Sequence, residues 1–322
     1  MKRLSTVVML VVSALWALGA SAQMYPNRPI KLIVADSAGG APDQLGRLLT
    51  EKLSNNVNQP VVVDNRPGAG GALGAELVAK SAPDGYTLLL TTTAIYAILP
   101  NLRKNLPYDP VRDFVPITRI ATASNVLVVN NELPVKDIAE LVKLAKEKPG
   151  ALNYASAGVG TPAHLAGEML NLLADIKVVH VPYKGAAPAL ADVIAGNAQY
   201  IITSPLAAGA HMNGGRVRAL ATTGTQRNPS LPDLATIAET LPGYDITQTW
   251  GIVVPTGTPP EIVNKLSAEI VKVMNQPDVR EKVLATGATP VGDSPAQFEA
   301  FMTKERQRLG DVIAKRGIVL TD

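Results

Sequence analysis

A chain of 322 residues, 47% hydrophobic and 18% charged, is long enough for two globular domains and too apolar to be a disordered tail. The formal charge is only +3, aromatic residues make up 4%, and no Lys/Arg run carries interleaved aromatics, so nucleic-acid binding has no compositional support. Cysteine is absent, which excludes disulfides, thiolate metal sites and a Cys nucleophile; three His without an H-E-x-x-H spacing argue against catalytic zinc, and no cofactor is expected.

Lys2 and Arg3 precede an apolar run over 7–20 that ends in Ala20-Ser21-Ala22. This is the order of a signal peptide, so residues 1–22 are expected to be cleaved after Ala22 and the protein exported. A retained anchor fits less well, because the run is short and no stop-transfer flank follows. Without Lys2 and Arg3 the excess of basic over acidic residues falls from three to one.

From Arg28 onward apolar β-type runs alternate with amphipathic helical patterns, the signature of an α/β fold with largely parallel sheets. Strands are expected over 30–35, 60–63, 86–90 and 117–129, with helices over 45–53 and 72–82 between them. The loop Pro67-Gly68-Ala69-Gly70-Gly71 opens the second helix. Two prolines within 108–116 end a first lobe, and the segment 117–130 crosses to a second. There, residues 137–148 place Ile138, Leu141, Val142 and Ala145 on one helical face. Strands follow over 152–155, 178–181, 198–203 and 217–222, with helices over 162–173 and 186–195. The run TWGIVV at 249–254 makes a second crossing back. Past it lie a helix with Ile262, Leu266, Ile270 and Val273 as its core stripe and a last helix over 296–316. Two crossings make a hinge with a defined axis, suited to closure on a ligand. The expected division is a first lobe of 23–123 plus 247–322 and a second of 124–246.

Two stretches share one design. LIVADSAGGAPDQLGR at 32–47 runs from a strand through Ser37, Ala38, Gly39 and Gly40 into a helix starting at Pro42; LNYASAGVGTPAHL at 152–165 repeats it through Ser156, Gly158, Gly160 and Thr161 into Pro162. In each, loop N–H groups and the positive end of a helix dipole converge on one small volume, a ready site for a carboxylate. Thr161 caps its helix with or without a ligand. The pairing of the two copies across a cleft is what carries the binding reading. Thr93, in the Thr91-Thr92-Thr93 run, and Tyr183, in PYKG after the strand over 178–181, are expected at the same rim of strand ends.

Gly158-x-Gly160-x-x-Ala163 is a degenerate dinucleotide fingerprint, but its acidic partner is misplaced, Asp175 standing only 15 residues past Gly160. Ser156 lacks the G-x-S-x-G context of a hydrolase nucleophile, Tyr154 occupying the first glycine position. An exported α/β hydrolase using Ser156 and one of His164, His180 or His211 is the rival class.

The segments YPNRPIKLIVADSAGGAPD, PVVVDNRPGAGGALGAELVAKSAPDGYTLLL, LPYDPVRDFVPIT, LNYASAGVGTPAHLAGEML, VHVPYKGAAPALADVIAG and WGIVVPTGTPPEIV together resemble the Bug/TctC family, the solute-binding components of tripartite tricarboxylate transporters. The resemblance implies a type II periplasmic binding protein fold, two α/β lobes joined by two crossover strands around a ligand cleft. It further implies a periplasmic monomer that binds a small organic acid or amino-acid-like solute and delivers it to integral membrane permease subunits. Because closure links ligand state to partner affinity, the same logic permits a sensory variant in which the closed form engages a sensor kinase. In the family the loops matching 37–43 and 156–161 each hold a carboxyl group. Two departures bear on specificity. The usual Pro-Phe-x-Pro before Gly-Gly reads Ala35-Asp36-Ser37-Ala38 here, so Asp36 replaces an aromatic residue and is expected to favour an amine, amide or other donor. The frequent Phe-Asp before Ser-Leu-Pro becomes Ile202-Thr203, which places Thr203 at the expected site.

Overall fold

The computed structural model describes residues 25–36, 38–183 and 185–318; the expected signal peptide over 1–22 and Ser37 lie outside them. In chain order come β1 (Ile30–Val34), α1 (Ala41–Val57), β2 (Val61–Asn65), α2 (Ala72–Ala79) and β3 (Thr87–Thr92), then a wide helical turn over Ala94–Ile98 and the short α3 (Leu99–Leu102). β4 (Phe114–Ser124) and β5 (Val126–Asn130) follow, separated by Asn125 alone. Next are α4 (Ile138–Glu147), β6 (Asn153–Ser156), α5 (Pro162–Ala174), β7 (Val179–Pro182), α6 (Ala186–Ile194), β8 (Tyr200–Thr203), α7 (Pro205–Asn213), β9 (Val217–Thr222) and α8 (Ile237–Thr240). β10 (Thr247–Pro255), α9 (Pro260–Met274), α10 (Pro277–Ala285), β11 (Thr289–Pro290) and α11 (Pro295–Arg316) complete the chain.

The strands form two sheets, ordered β11-β4-β10-β3-β1-β2 and β7-β6-β8-β5-β9. The segment expected to cross as one strand is therefore two, with β4 in the first sheet and β5 in the second. Both sheets are mixed, where the sequence pattern suggested largely parallel ones. β2–β1–β3 and β7–β6–β8 are parallel, whereas β10 opposes β3 and β4, and β5 opposes β8 and β9. The cause is topological: the strand that brings the chain into each lobe, β10 in the first and β5 in the second, runs against that lobe's βαβ units. Apolar runs read alike in either direction, so composition does not report it. Helix α7 also goes beyond the expected elements, although its start signal is present: Ser204 accepts from the Ala207 N–H at 3.2 Å, and Pro205 opens the helix.

Leu45, Leu49 and Leu53 of α1 and Val263, Leu266 and Ile270 of α9 cover one face of the first sheet, at the spacing of an amphipathic stripe. The other face carries a cluster that runs from Ile33, Leu89 and Tyr96 through Phe298, Met302 and Leu309 of α11 to Leu127, Tyr154 and Leu165 of the second lobe. Helix α11 thus packs on β4 and α3 and also on α5. Its Arg308 donates to the Asp245 carbonyl and pairs with Glu305 at 2.6 Å.

One threonine joins the two crossings. Thr223 Oγ1 accepts from the Asn125 N–H at 2.8 Å and donates to the Ile246 carbonyl at 2.7 Å. Its own N–H donates to the Asn125 carbonyl at 2.9 Å, and its carbonyl accepts from the Ile246 N–H at 3.0 Å. Four hydrogen bonds at one fully buried residue hold both interlobe segments in register.

Candidate functional site

The two sheets face each other across a cavity of about 490 Å³, a volume suited to a small molecule. The first lobe contributes Asp36, Ala41, Pro42, the Pro67–Gly71 loop, Thr92 and Thr93; the second contributes Ala157, Thr161, Pro162, Ala186, Thr203 and Ser204. Asn125, Gln248, Thr249 and Trp250 come from the crossings. Four helices of nine residues or more, α1, α5, α6 and α7, begin at this wall. Among the described residues no Lys or Arg lines it. Positive potential therefore comes from helix ends and backbone N–H groups, the arrangement that holds carboxylates.

The first loop is tied down from behind. Asp43, buried in the first turn of α1, accepts from the Gly39 N–H at 2.8 Å, from Asn65 Nδ2 at 3.0 Å and from Arg47 Nε at 2.9 Å. Burial raises its pKa, but these three partners outweigh burial and hold it below the usual carboxylate range. The same contacts consume the Gly39 N–H, while the α1 N-cap at Gly40 carries no side-chain cap. Gly71 shows why the neighbouring loop is glycine-rich: at φ +99° a Cβ there would stand 2.9 Å from Ile95 Cδ1.

The second loop rests on a stack of rings. His164 lies on His180 at 4.0 Å between centroids, His180 on Tyr154 at 4.9 Å, and Tyr154 on Tyr200 at 5.6 Å. His164 Nδ1 accepts from the Gly160 N–H at 3.1 Å, and His180 Nε2 meets Ser156 Oγ at 2.6 Å. Burial, with His164 beside it, pushes His180 down to about 4, and burial lowers His164 as well. Both rings are neutral at pH 7. Because their folded pKa values lie below the unfolded value of about 6.5, the unfolded chain takes up protons first, and stability is lost as pH falls from about 6.5 towards 4. Urea unfolding at pH 7, 6, 5 and 4.5 should show that decline, and His180→Gln should flatten it; an unchanged slope would separate His180 from the loss.

This geometry gives the hydrolase reading no support. Ser156 is fully buried under its loop, where Oγ also bonds Gly158. Its His partner is a weak base, and no carboxylate among the described residues is hydrogen-bonded to it; Glu168 accepts instead from the Tyr154 hydroxyl at 2.9 Å.

Of the expected site residues, Asp36, Thr93, Thr161 and Thr203 lie on the cavity wall. Ala38, Gly39 and Gly40 sit just before the lining residues Ala41 and Pro42. Ser156, Gly158 and Gly160 lie behind and beside Ala157 and Thr161, as scaffold of the second loop. Tyr183 is off the wall, its hydroxyl donating to Asp192, and Ser37 is outside the described residues. Sequence reasoning missed Asn125, Gln248, Thr249 and Trp250. The polar Ser-Asn break in the first crossing and the TQTW start of the second were the available signals.

Two mixed α/β lobes, two short crossings and a cavity ringed by helix N-termini define a type II periplasmic binding protein fold. The chain matches the family described as tripartite tricarboxylate transporter family receptor over residues 45–318. It is 35% identical to protein BugT of Bordetella pertussis, over 99% of each chain. Among solved structures it is similar to R. palustris Rpa4515 with adipate (34% identity, TM-score 0.81, 92% of this chain and 99% of that one) and to MatC from Rhodopseudomonas palustris with bound malate (30%, 0.77, 90% and 100%). The chain belongs to the tripartite tricarboxylate transporter receptor family, whose members are solute-binding receptors.

Proposed function

We propose that this protein is a periplasmic, non-catalytic receptor that closes its lobes, as a monomer, on a small dicarboxylate or amino-acid-like acid and passes it to integral membrane permease subunits of a tripartite transporter. The observation that carries this reading is the placement of the α1 and α5 N-termini on facing walls of one cavity with no cationic side chain among the described lining residues. Each end suits one carboxylate, through charge-assisted bonds that strengthen when closure excludes water. Asp36, Thr93, Thr161 and Thr203 are the proposed contacts, with Ser37, Ala38, Gly39, Gly40, Ser156, Gly158, Gly160 and Tyr183 shaping the two loops and their rim. Residues 1–22 are read as the export signal. The end of β4 at Ser124 and the start of β10 at Thr247 support the division into 23–123 plus 247–322 and 124–246. Adipate and malate in the two related structures support the ligand class.

Thermal unfolding against four- to six-carbon dicarboxylates and acidic amino acids tests the reading. A ligand at 100 times its Kd should stabilise the protein by about 2.7 kcal/mol. Ala157→Phe should abolish that shift while leaving the ligand-free midpoint in place, since Ala157 is a half-buried cavity residue. No shift with any acid in the panel would remove the proposal.

A further inference from the structure

A second cavity, of about 470 Å³, lies on the first lobe where the end of α3, the loop leading to β4 and the α11 helix meet. It shares no lining residue with the interlobe cavity. Arg103, Lys104, Arg112 and Arg306 line it, against the carboxylate of Asp109. That is a local concentration of charge in a chain whose basic excess past residue 22 is only one. Arg112 pairs with Asp113 at 3.0 Å, whereas Arg103, Lys104 and Arg306 make no ion pair among the described residues. The loop is built rigidly. Pro107 and Pro110 fix φ at two of its positions, and the buried Tyr108 donates its hydroxyl to the Ile95 carbonyl at 2.7 Å. Asp109 Oδ1 accepts from the Val111 and Arg112 N–H groups at 2.8 and 3.1 Å. Those N–H groups, with Arg112 and Arg306 nearby, hold its pKa below the usual carboxylate range, so the acid in the pocket is already compensated. Asn101 Nδ2 donates to the Arg306 carbonyl at 3.0 Å, which fixes α11 beside α3. In the middle of the turn Val111 is 61% exposed, more than any other large hydrophobic side chain described.

We propose that this pocket binds the phosphate headgroup of an anionic lipid while Val111 enters the interface, which sets the first lobe against a membrane surface. Taking that membrane to be the one that holds the permease rests on the receptor reading above. Guanidinium forks match phosphate oxygens in pairs, and a lysine adds a point charge. These groups would also take a free phosphate; the exposed apolar side chain decides for a lipid. Cations around an apolar tip combine the two attractions of interfacial binding, charge towards anionic headgroups and burial of apolar surface. A soluble anion would leave Val111 in water. Four cations and one valine give weak, reversible attachment, which suits a receptor that must leave the surface to collect solute.

Vesicle flotation of the mature chain, residues 23–322, reads the site directly. Phosphatidylcholine vesicles carrying about 30% phosphatidylglycerol should bind about tenfold more protein than phosphatidylcholine alone, and raising NaCl to about 0.5 M should release it. Lys104→Ala removes one charge and should weaken partition about fivefold; Lys104→Glu reverses it and should weaken partition about 25-fold. Val111→Asp should weaken it severalfold or more. Lys146→Glu, the same charge change on exposed α4 of the second lobe, should have little effect. All three positions are exposed, so melting midpoints should stay in place. Equal binding to both vesicles, or an equal loss with Lys146→Glu, would overturn the site. Calorimetric binding of inorganic phosphate without vesicle binding would overturn it in favour of a soluble anion, and silence in both assays would leave the pocket to an acidic protein segment instead. Thermal shifts by dicarboxylates should be the same in Lys104→Glu as in the native protein. Loss of vesicle binding therefore leaves the receptor reading standing, and a silent dicarboxylate panel leaves the lipid site standing.

Discussion

Thr223→Val should lower the free energy of unfolding by about 2–4 kcal/mol, because it removes a side chain that ties both crossings and leaves two buried main-chain groups unpaired. Valine matches threonine in shape, so no cavity confuses the result. The Asn125 N–H loses its acceptor and the Ile246 carbonyl its donor, while the two bonds from the Thr223 backbone remain. The damage is local to the hinge, so ligand affinity should fall beyond what the stability loss explains. Thr223→Ser keeps the hydroxyl and should recover most of both. Denaturant titration with and without ligand measures the effect. A valine variant as stable as the native protein would mean that the crossings are held elsewhere.

Gly167→Ala should cost about 3 kcal/mol, the opposite of its ordinary effect in a helix, where alanine gains up to about 1 kcal/mol over glycine. A Cβ at position 167 would stand 2.2 Å from Tyr154 Cε2 and 2.4 Å from Cζ. The ring cannot step aside. It is clamped between His180 and Tyr200, and its hydroxyl bonds Glu168 at 2.9 Å and the His164 carbonyl at 3.2 Å. Relief must come from moving α5, whose first residues form the second loop's wall, so binding should weaken together with stability. Urea unfolding of the alanine variant decides the matter: an increase in stability would show that Tyr154 does not pack against this helix face.

The two loops were legible because their signals are local. SAGGAP and SAGVGTP each place glycine before proline at a strand-to-helix junction, and the structure puts Ala41 with Pro42 and Thr161 with Pro162 on the cavity wall. The rings under the second loop were not legible, since His164 and His180 meet only because β6 and β7 pair in parallel with Tyr154 opposite His180. The role of Ser156 changed for the same reason. Its sequence context left a nucleophile open, and its burial against His180 makes it a loop support.

The amino-acid sequence by itself determined the alternation of strands and helices, the two lobes, the two crossings and the two glycine-to-proline loops that open helices at the cavity. These follow from periodicity, capping and glycine placement, all set within a few residues of chain. Tertiary structure alone decided the mixed strand directions, the Thr223 clasp, the packing of Gly167 and the cavity wall made by Asn125 and Thr249. Each of these depends on residues distant in sequence coming within bonding distance, and short-range patterns carry no record of such pairings.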